Sequence, residues 1–112
     1  AQLDPNGDGA VVRSVLQLYL SESPRRLERV KAAFETRDVQ ALLAAAHALK
    51  GASAQMGARR VASLASQIEE GARSDPPELD GELLAALERE SRLVEREIRN
   101  LIAPAAGTDL PP

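Results

Sequence analysis

Apolar residues recur along the chain at intervals of three and four, interrupted by a few short polar stretches. Val39, Leu42, Ala46, Leu49, Ser53 and Met56 fall 3-4-3-4-3 apart, which places them on one seam of a helix. Leu84, Leu87, Ser91, Val94, Ile98 and Leu101 repeat that spacing. Between the two seams, Val61, Leu64, Ala65, Ile68 and Ala72 form a third stripe, and Leu27, Val30, Ala33 and Phe34 a fourth. Val12, Val15, Leu16, Tyr19 and Leu20 suggest one more near the start. No segment alternates with period two for long enough to be a strand.

The breakers fit this division. Pro24 follows Ser21-Glu22-Ser23, Asp38 follows Thr36-Arg37, Gly57 stands alone, and Gly71 to Pro77 is the longest interruption. Five helices are expected: 10–20, 24–36, 39–56, 58–72 and 77–102. Ser23 is the expected N-cap of the second, with Pro24 in its first turn, and Asp38 that of the third. Asp75 precedes the fifth. Short connections between long amphipathic helices make neighbours antiparallel. The expected fold is all-α: an antiparallel up-and-down four-helix bundle with an additional N-terminal helix. Residues 1–9 read as a polar lead-in, 10–102 as the bundle, and 103–112, with three Pro and one Gly, as a tail or linker.

Composition sharpens the picture. The 112 residues suit one domain. They include 20 Ala and 16 Leu but only one Phe, one Tyr and no Trp, so the core is thin and aliphatic. With no Cys, disulfides and thiol chemistry are excluded. With a single His, His47, zinc sites built on several His are excluded too. The net charge is −3, and the 14 basic residues are scattered among 17 acids without an evident stripe. Nucleic acid is therefore not an expected partner. The longest apolar run, Ala41 to Ala46, is far too short to span a membrane. Without a signal peptide or a starting Met, the chain reads as a cytoplasmic domain excised from something longer.

One motif misleads. Asp4-Pro5-Asn6-Gly7-Asp8-Gly9 imitates the opening of a calcium loop. Such a loop needs a bidentate carboxylate at its twelfth position, and that position here is Val15. Calcium binding is not expected.

His47 follows the seam residue Ala46 by one, which turns it about 100° off the core direction. Gly51 stands one turn on, where Ala would favour the helix by about 1 kcal/mol. It leaves a notch beside the ring. Lys50, one of only two Lys, adds a compact cation to the same face. An exposed imidazole, a notch and an ammonium suit a bulky anionic group. On pattern alone, the commoner state of such residues is a solvated imidazole beside a tolerated glycine.

The stretch Ala46 to Ala58 (AHALKGASAQMGA) resembles the signature of the histidine-containing phosphotransfer (HPt) domain, H-x-L-K-G followed by small residues and then Gly-Ala. Leu18 to Pro24 with Leu27, Asp38 before the histidine helix, and Leu64 with Ile68-Glu69 resemble the family's flanking helices. Roughly residues 10–101 are covered. A bare H-x-L-K-G is a weak signal, but in register with five helices it is strong.

The resemblance implies a phosphoryl carrier. His47 would accept the group from a receiver domain's aspartyl phosphate and pass it to a second receiver or response regulator. The resemblance also points to Glu69, where family members carry Glu or Gln, as acceptor from the His47 Nδ1–H. Glu69 follows the core residue Ile68 by one, as His47 follows Ala46, so the two side chains can meet along the groove. Lys50 would steady phosphoryl charge, and Gly51 would admit the partner's aspartate. Arg73 is either a contact to the same anion or a partner of the helix dipole. Leu43, Ala44 and Ala54 are candidates for the docking surface, with Leu43 possible as core. Ser53 reads as packing and Gln55 as solvated. No cofactor is implied; the Mg²⁺ of the reaction would belong to the receiver. The carrier would use no ATP of its own, act as a monomer and touch no membrane itself; the missing Met and the Pro-rich tail suggest the C-terminal module of a hybrid sensor kinase, and a free-standing shuttle cut at both ends would look the same.

Three rivals stand beside this. The phosphoacceptor domain of a histidine kinase places an acid directly after its His and a Pro soon after, whereas Ala48 follows here and no Pro occurs until Pro76. A bundle that only binds a partner, its phosphorylation lost, remains open. So does direct phosphorylation by an ATP-bound catalytic domain, as in chemotaxis kinases.

Overall fold

The computed structural model describes residues 5–103, with side chains from residue 9 onward. Helices α1 (Pro5–Thr36), α2 (Val39–Gln55), α3 (Arg59–Arg73) and α4 (Gly81–Ile102) carry almost all of it, with no strand among the described residues. Each helix packs on its neighbours in a ring, α1 on α2, α2 on α3, α3 on α4 and α4 on α1. The core is Leu27, Val30 and Ala33 from α1, Leu42, Ala46 and Leu49 from α2, Val61, Leu64, Ala65, Ile68 and Ala72 from α3, and Leu87 from α4. The five inward positions expected of α3 are all buried.

The N-terminal helix is not separate. The chain runs through Pro24 without a break, so the two helices expected at 10–20 and 24–36 are one. A mid-helix proline removes a hydrogen bond and strains the preceding turn. Packing decides otherwise: Tyr19, Ser23, Leu27 and Val30 form one buried stripe across it. Ser23 is therefore not an N-cap. It is buried mid-helix and donates to Glu95 Oε2 on α4 at 3.0 Å.

Among the described residues the first turns of α1 have little to pack on. At 1.5 Å per residue, α1 is about 48 Å long and α2 about 26 Å. Val12 and Val15, expected inward, are exposed, as are Val11 and Leu18. Arg13 reaches the carbonyl of Ile102 at the end of α4. Of the calcium-like hexapeptide, Asp4 lies outside the described residues, and Pro5 to Gly9 run in α1 rather than in a loop. Within the tail expected at 103–112, residues 104–112 lie outside the described residues.

Helix α4 starts later than expected. Asp80, not Asp75, caps it, accepting from Glu82 N at 2.8 Å, and Pro76 to Leu79 stay outside the helix. Its buried positions are Leu87, Ser91, Glu95 and Ile98; Val94 is half-buried and Leu101 exposed. The basic residues are also less scattered than they look along the chain. Arg89, Arg92, Arg96 and Arg99, spaced 3-4-3, share the outer face of α4. Arg92 and Arg99 turn inward, to 3.4 Å and 3.9 Å from Glu95 Oε1.

Candidate functional site

The hairpin of α2 and α3 builds the site. Asp38 caps α2 by accepting from Ala41 N at 3.1 Å. At the other end Gly57 adopts φ 78°, Gly57 N donates to Ala54 O, and Ala58 N donates to Ser53 O. This is a Schellman closure, and its left-handed residue favours glycine. The turn is tight, so residues equidistant from it face each other. His47 and Glu69 each lie eleven positions from Ala58, at the same height on neighbouring helices.

His47 is exposed, with 67% of its side chain accessible, while Glu69 beside it is buried to 2%. His47 Nδ1 lies 3.1 Å from Glu69 Oε2. Arg73 Nη2 donates to the same oxygen at 2.8 Å. Lys50 Nζ faces the other oxygen, Oε1, at 2.8 Å, as an ion pair off the angle of a good hydrogen bond. One buried carboxylate thus joins the imidazole to two cations. Burial alone would push the Glu69 carboxyl up. The close contacts of Lys50 and His47 and the charges of Lys50 and Arg73 outweigh it and hold the group below its ordinary value. Glu69 is therefore an anion at neutral pH and a hydrogen-bond acceptor only.

That arrangement selects a tautomer. With Glu69 accepting, the proton of neutral His47 belongs on Nδ1, and the lone pair lies on Nε2. Nε2 has no hydrogen-bond partner among the described residues. The chemistry available is nucleophilic attack by Nε2 on an electrophile brought from outside.

The other expected residues are dispersed around this centre. Gly51 is exposed one turn on, with nothing within 4 Å of where a Cβ would point. Ala44 and Ala54 are exposed, and Ala44 lines a shallow groove between α1 and α2. Leu43 is half-buried against the core. Gln55 is exposed, and Ser53 is buried with its Oγ 3.1 Å from the Tyr19 hydroxyl. Arg73 contacts Glu69, a pairing not among the two roles read from the sequence. Its signal was present: Glu69 and Arg73 are four apart on one helix, the spacing at which side chains meet. Among the described residues no group of three or more His, Cys, Asp or Glu is placed to hold a metal ion, and no helix is long and apolar enough to cross a membrane.

A ring of four helices presenting one exposed histidine, tied to a buried carboxylate, on an open face defines a class of small helical bundle. The comparison with family models places the chain within that class: the Hpt domain model matches residues 14–103, and the chain belongs to the Hpt domain family. Hpt domains are intermediates of histidine phosphotransfer in phosphorelays, not kinases, and they work with receiver domains and response regulators. No significant similarity was found to a curated protein or to a solved structure.

Proposed function

We propose that His47 is the phosphoacceptor, taking the group from a receiver-domain aspartyl phosphate and passing it to a response regulator. The observation that carries this reading is the exposed His47 ring tied through Nδ1 to a buried carboxylate. In the forward step the Nε2 lone pair attacks phosphorus. A P–N bond forms, the P–O bond to the aspartyl carboxyl breaks, and the aspartate leaves with the electron pair. The Nδ1 proton stays in place, and Glu69 offsets the positive charge that the ring acquires. Lys50 steadies the equatorial phosphoryl oxygens. Gly51, with Ala44 and Ala54 nearby, admits the receiver, and Leu43 supports that surface from the core. The Mg²⁺ of the reaction belongs to the receiver, and this chain needs no cofactor. On this reading the domain is a cytoplasmic monomer of a hybrid sensor kinase's relay, without its own contact to membrane or nucleic acid.

The test is to incubate the domain with a receiver charged by acetyl phosphate and Mg²⁺ and to follow acid-labile, base-stable phosphate. Label on the wild type and none on His47→Gln is expected. If no label arrives, or His47→Gln still accepts it, the reading fails.

A further inference from the structure

We infer that the two cations around Glu69 have separate tasks: Arg73 is a positioning residue that fixes the carboxylate against His47, and Lys50 is the cation released to the phosphoryl group. The Lys50 half rests on the phosphotransfer reading above; the Arg73 half does not.

The division follows from which oxygen each cation holds. Arg73 Nη2 and His47 Nδ1 share Oε2, at 2.8 Å and 3.1 Å. Lys50 Nζ stands on Oε1, at 2.8 Å. The Arg73–Glu69 pair spans four residues of α3, so it is held within one helix whatever happens on α2. Lys50 belongs to α2, three residues after His47, and travels with the ring. Loss of Lys50 frees Oε1 and leaves the His47-facing oxygen anchored. Loss of Arg73 leaves Oε2 with the imidazole alone, and the carboxylate can turn towards Lys50.

Charge points the same way. Lys50 and Arg73 together bring two positive charges to one carboxylate. As the P–N bond forms, the ring becomes positive and the phosphoryl oxygens attract an ammonium. Lys50, a flexible stem with rotatable donors, suits the move. The planar guanidinium of Arg73 suits staying on a carboxylate oxygen. With Arg73 in place, Glu69 remains charge-compensated and still accepts from Nδ1–H after Lys50 has left.

The experiment is ring ¹⁵N NMR of His47 on the unphosphorylated domain, beside the labelling assay. The Nδ1–H tautomer should dominate in the wild type and in Lys50→Met. It should fall in Arg73→Met towards the Nε2–H form, with partial recovery in Arg73→Lys. Both Met variants should accept label about tenfold to a hundredfold more slowly, the usual loss when a partner orienting an imidazole is removed. Backbone amide spectra identify any variant that fails to fold, and Arg73→Lys then decides the matter. An unchanged tautomer in Arg73→Met overturns the positioning role, even if transfer slows. An equal tautomer loss in Lys50→Met overturns the division of tasks. If the wild type accepts no label, the relay reading and the Lys50 half fall together, while the tautomer of Arg73→Met still decides the Arg73 half.

Discussion

Ser23 on α1 donates to Glu95 on α4 across 3.0 Å, and both side chains are buried. The bond joins two helices through a position next to Pro24, where the chain would otherwise be expected to break. Glu95 receives further support on Oε1 from Arg92 and Arg99. A buried carboxylate is tolerated only when its oxygens are satisfied. This cluster thus fixes how α1 and α4 are aligned.

Replacing Ser23 with Ala leaves Glu95 Oε2 buried without its donor. The expected loss is about 1–3 kcal/mol. Ser91, one turn before Glu95, is the control, because its hydroxyl is buried and has no hydrogen-bond partner among the described residues. Ser91→Ala removes an unsatisfied group and should be neutral or stabilising by up to about 1 kcal/mol. Urea unfolding measures both. Equal effects for the two serines would contradict the assigned bond.

The contrast between these serines shows what was legible in the sequence and what was not. Seams in α2 and α3 were readable because each of these helices is flanked on both sides by a neighbour that buries its stripe. His47 was placed by its rotation from that seam, Lys50 and Gly51 as its neighbours one turn on, and Glu69 by the same offset from Ile68 together with the family resemblance. Three features escaped. A proline looks like a break until the buried stripe across it is known. Val12 and Val15 look inward, yet both stay exposed at the open end of α1, Val15 at the rim of a groove with Ala52 and Gln55 of α2. Glu95 looks solvated until Ser23 is seen opposite it. Each depends on what stands across an interface, and a single helix's period carries no such information.

Gly71 is constrained by a close approach rather than by its torsions. A Cβ there would collide with the carbonyl oxygen of Glu78, and the Gly71 carbonyl itself accepts from Ser74 N and Glu78 N. Gly71→Ala must push the α3–α4 connection outward. The expected cost is about 1–3 kcal/mol, typical of overpacking. Thermal unfolding would register it, with amide shifts concentrated in residues 74–80. A variant as stable as the wild type would mean that this connection yields freely.

The ion cluster at Glu69 makes stability depend on pH. Its carboxyl is held below the ordinary value of 4.5, although burial acts the other way, because Lys50, His47 and Arg73 favour the charged form. A depressed folded-state value means that the unfolded chain takes up the proton first. The contribution is therefore complete above the unfolded value and is lost as pH falls through the folded one. Glu69→Gln, which lacks this titration, should be less stable than the wild type at pH 7, and the gap should close as the pH falls below the ordinary carboxylate value and through the lower folded-state one. Paired urea titrations cancel the other carboxylates. A gap independent of pH would show that the cluster does not favour the anion.

Gly51 separates packing from docking. Open space surrounds the position of its missing Cβ, so Gly51→Ala meets no clash and gains about 1 kcal/mol of helix propensity. In a domain of this size the melting temperature should rise by about 4 °C or more. The new methyl would nonetheless project from the same exposed face as the His47 ring, one turn along, where an incoming receiver must bring its aspartate in line with Nε2. Acceptance of label should slow while stability rises, and the loss should appear in the dependence on receiver concentration before it appears in the saturated rate. A glycine kept only because it does no harm to the fold would give a more stable domain with unchanged transfer. Opposite signs in the two measurements would tie the glycine to the approach of the partner.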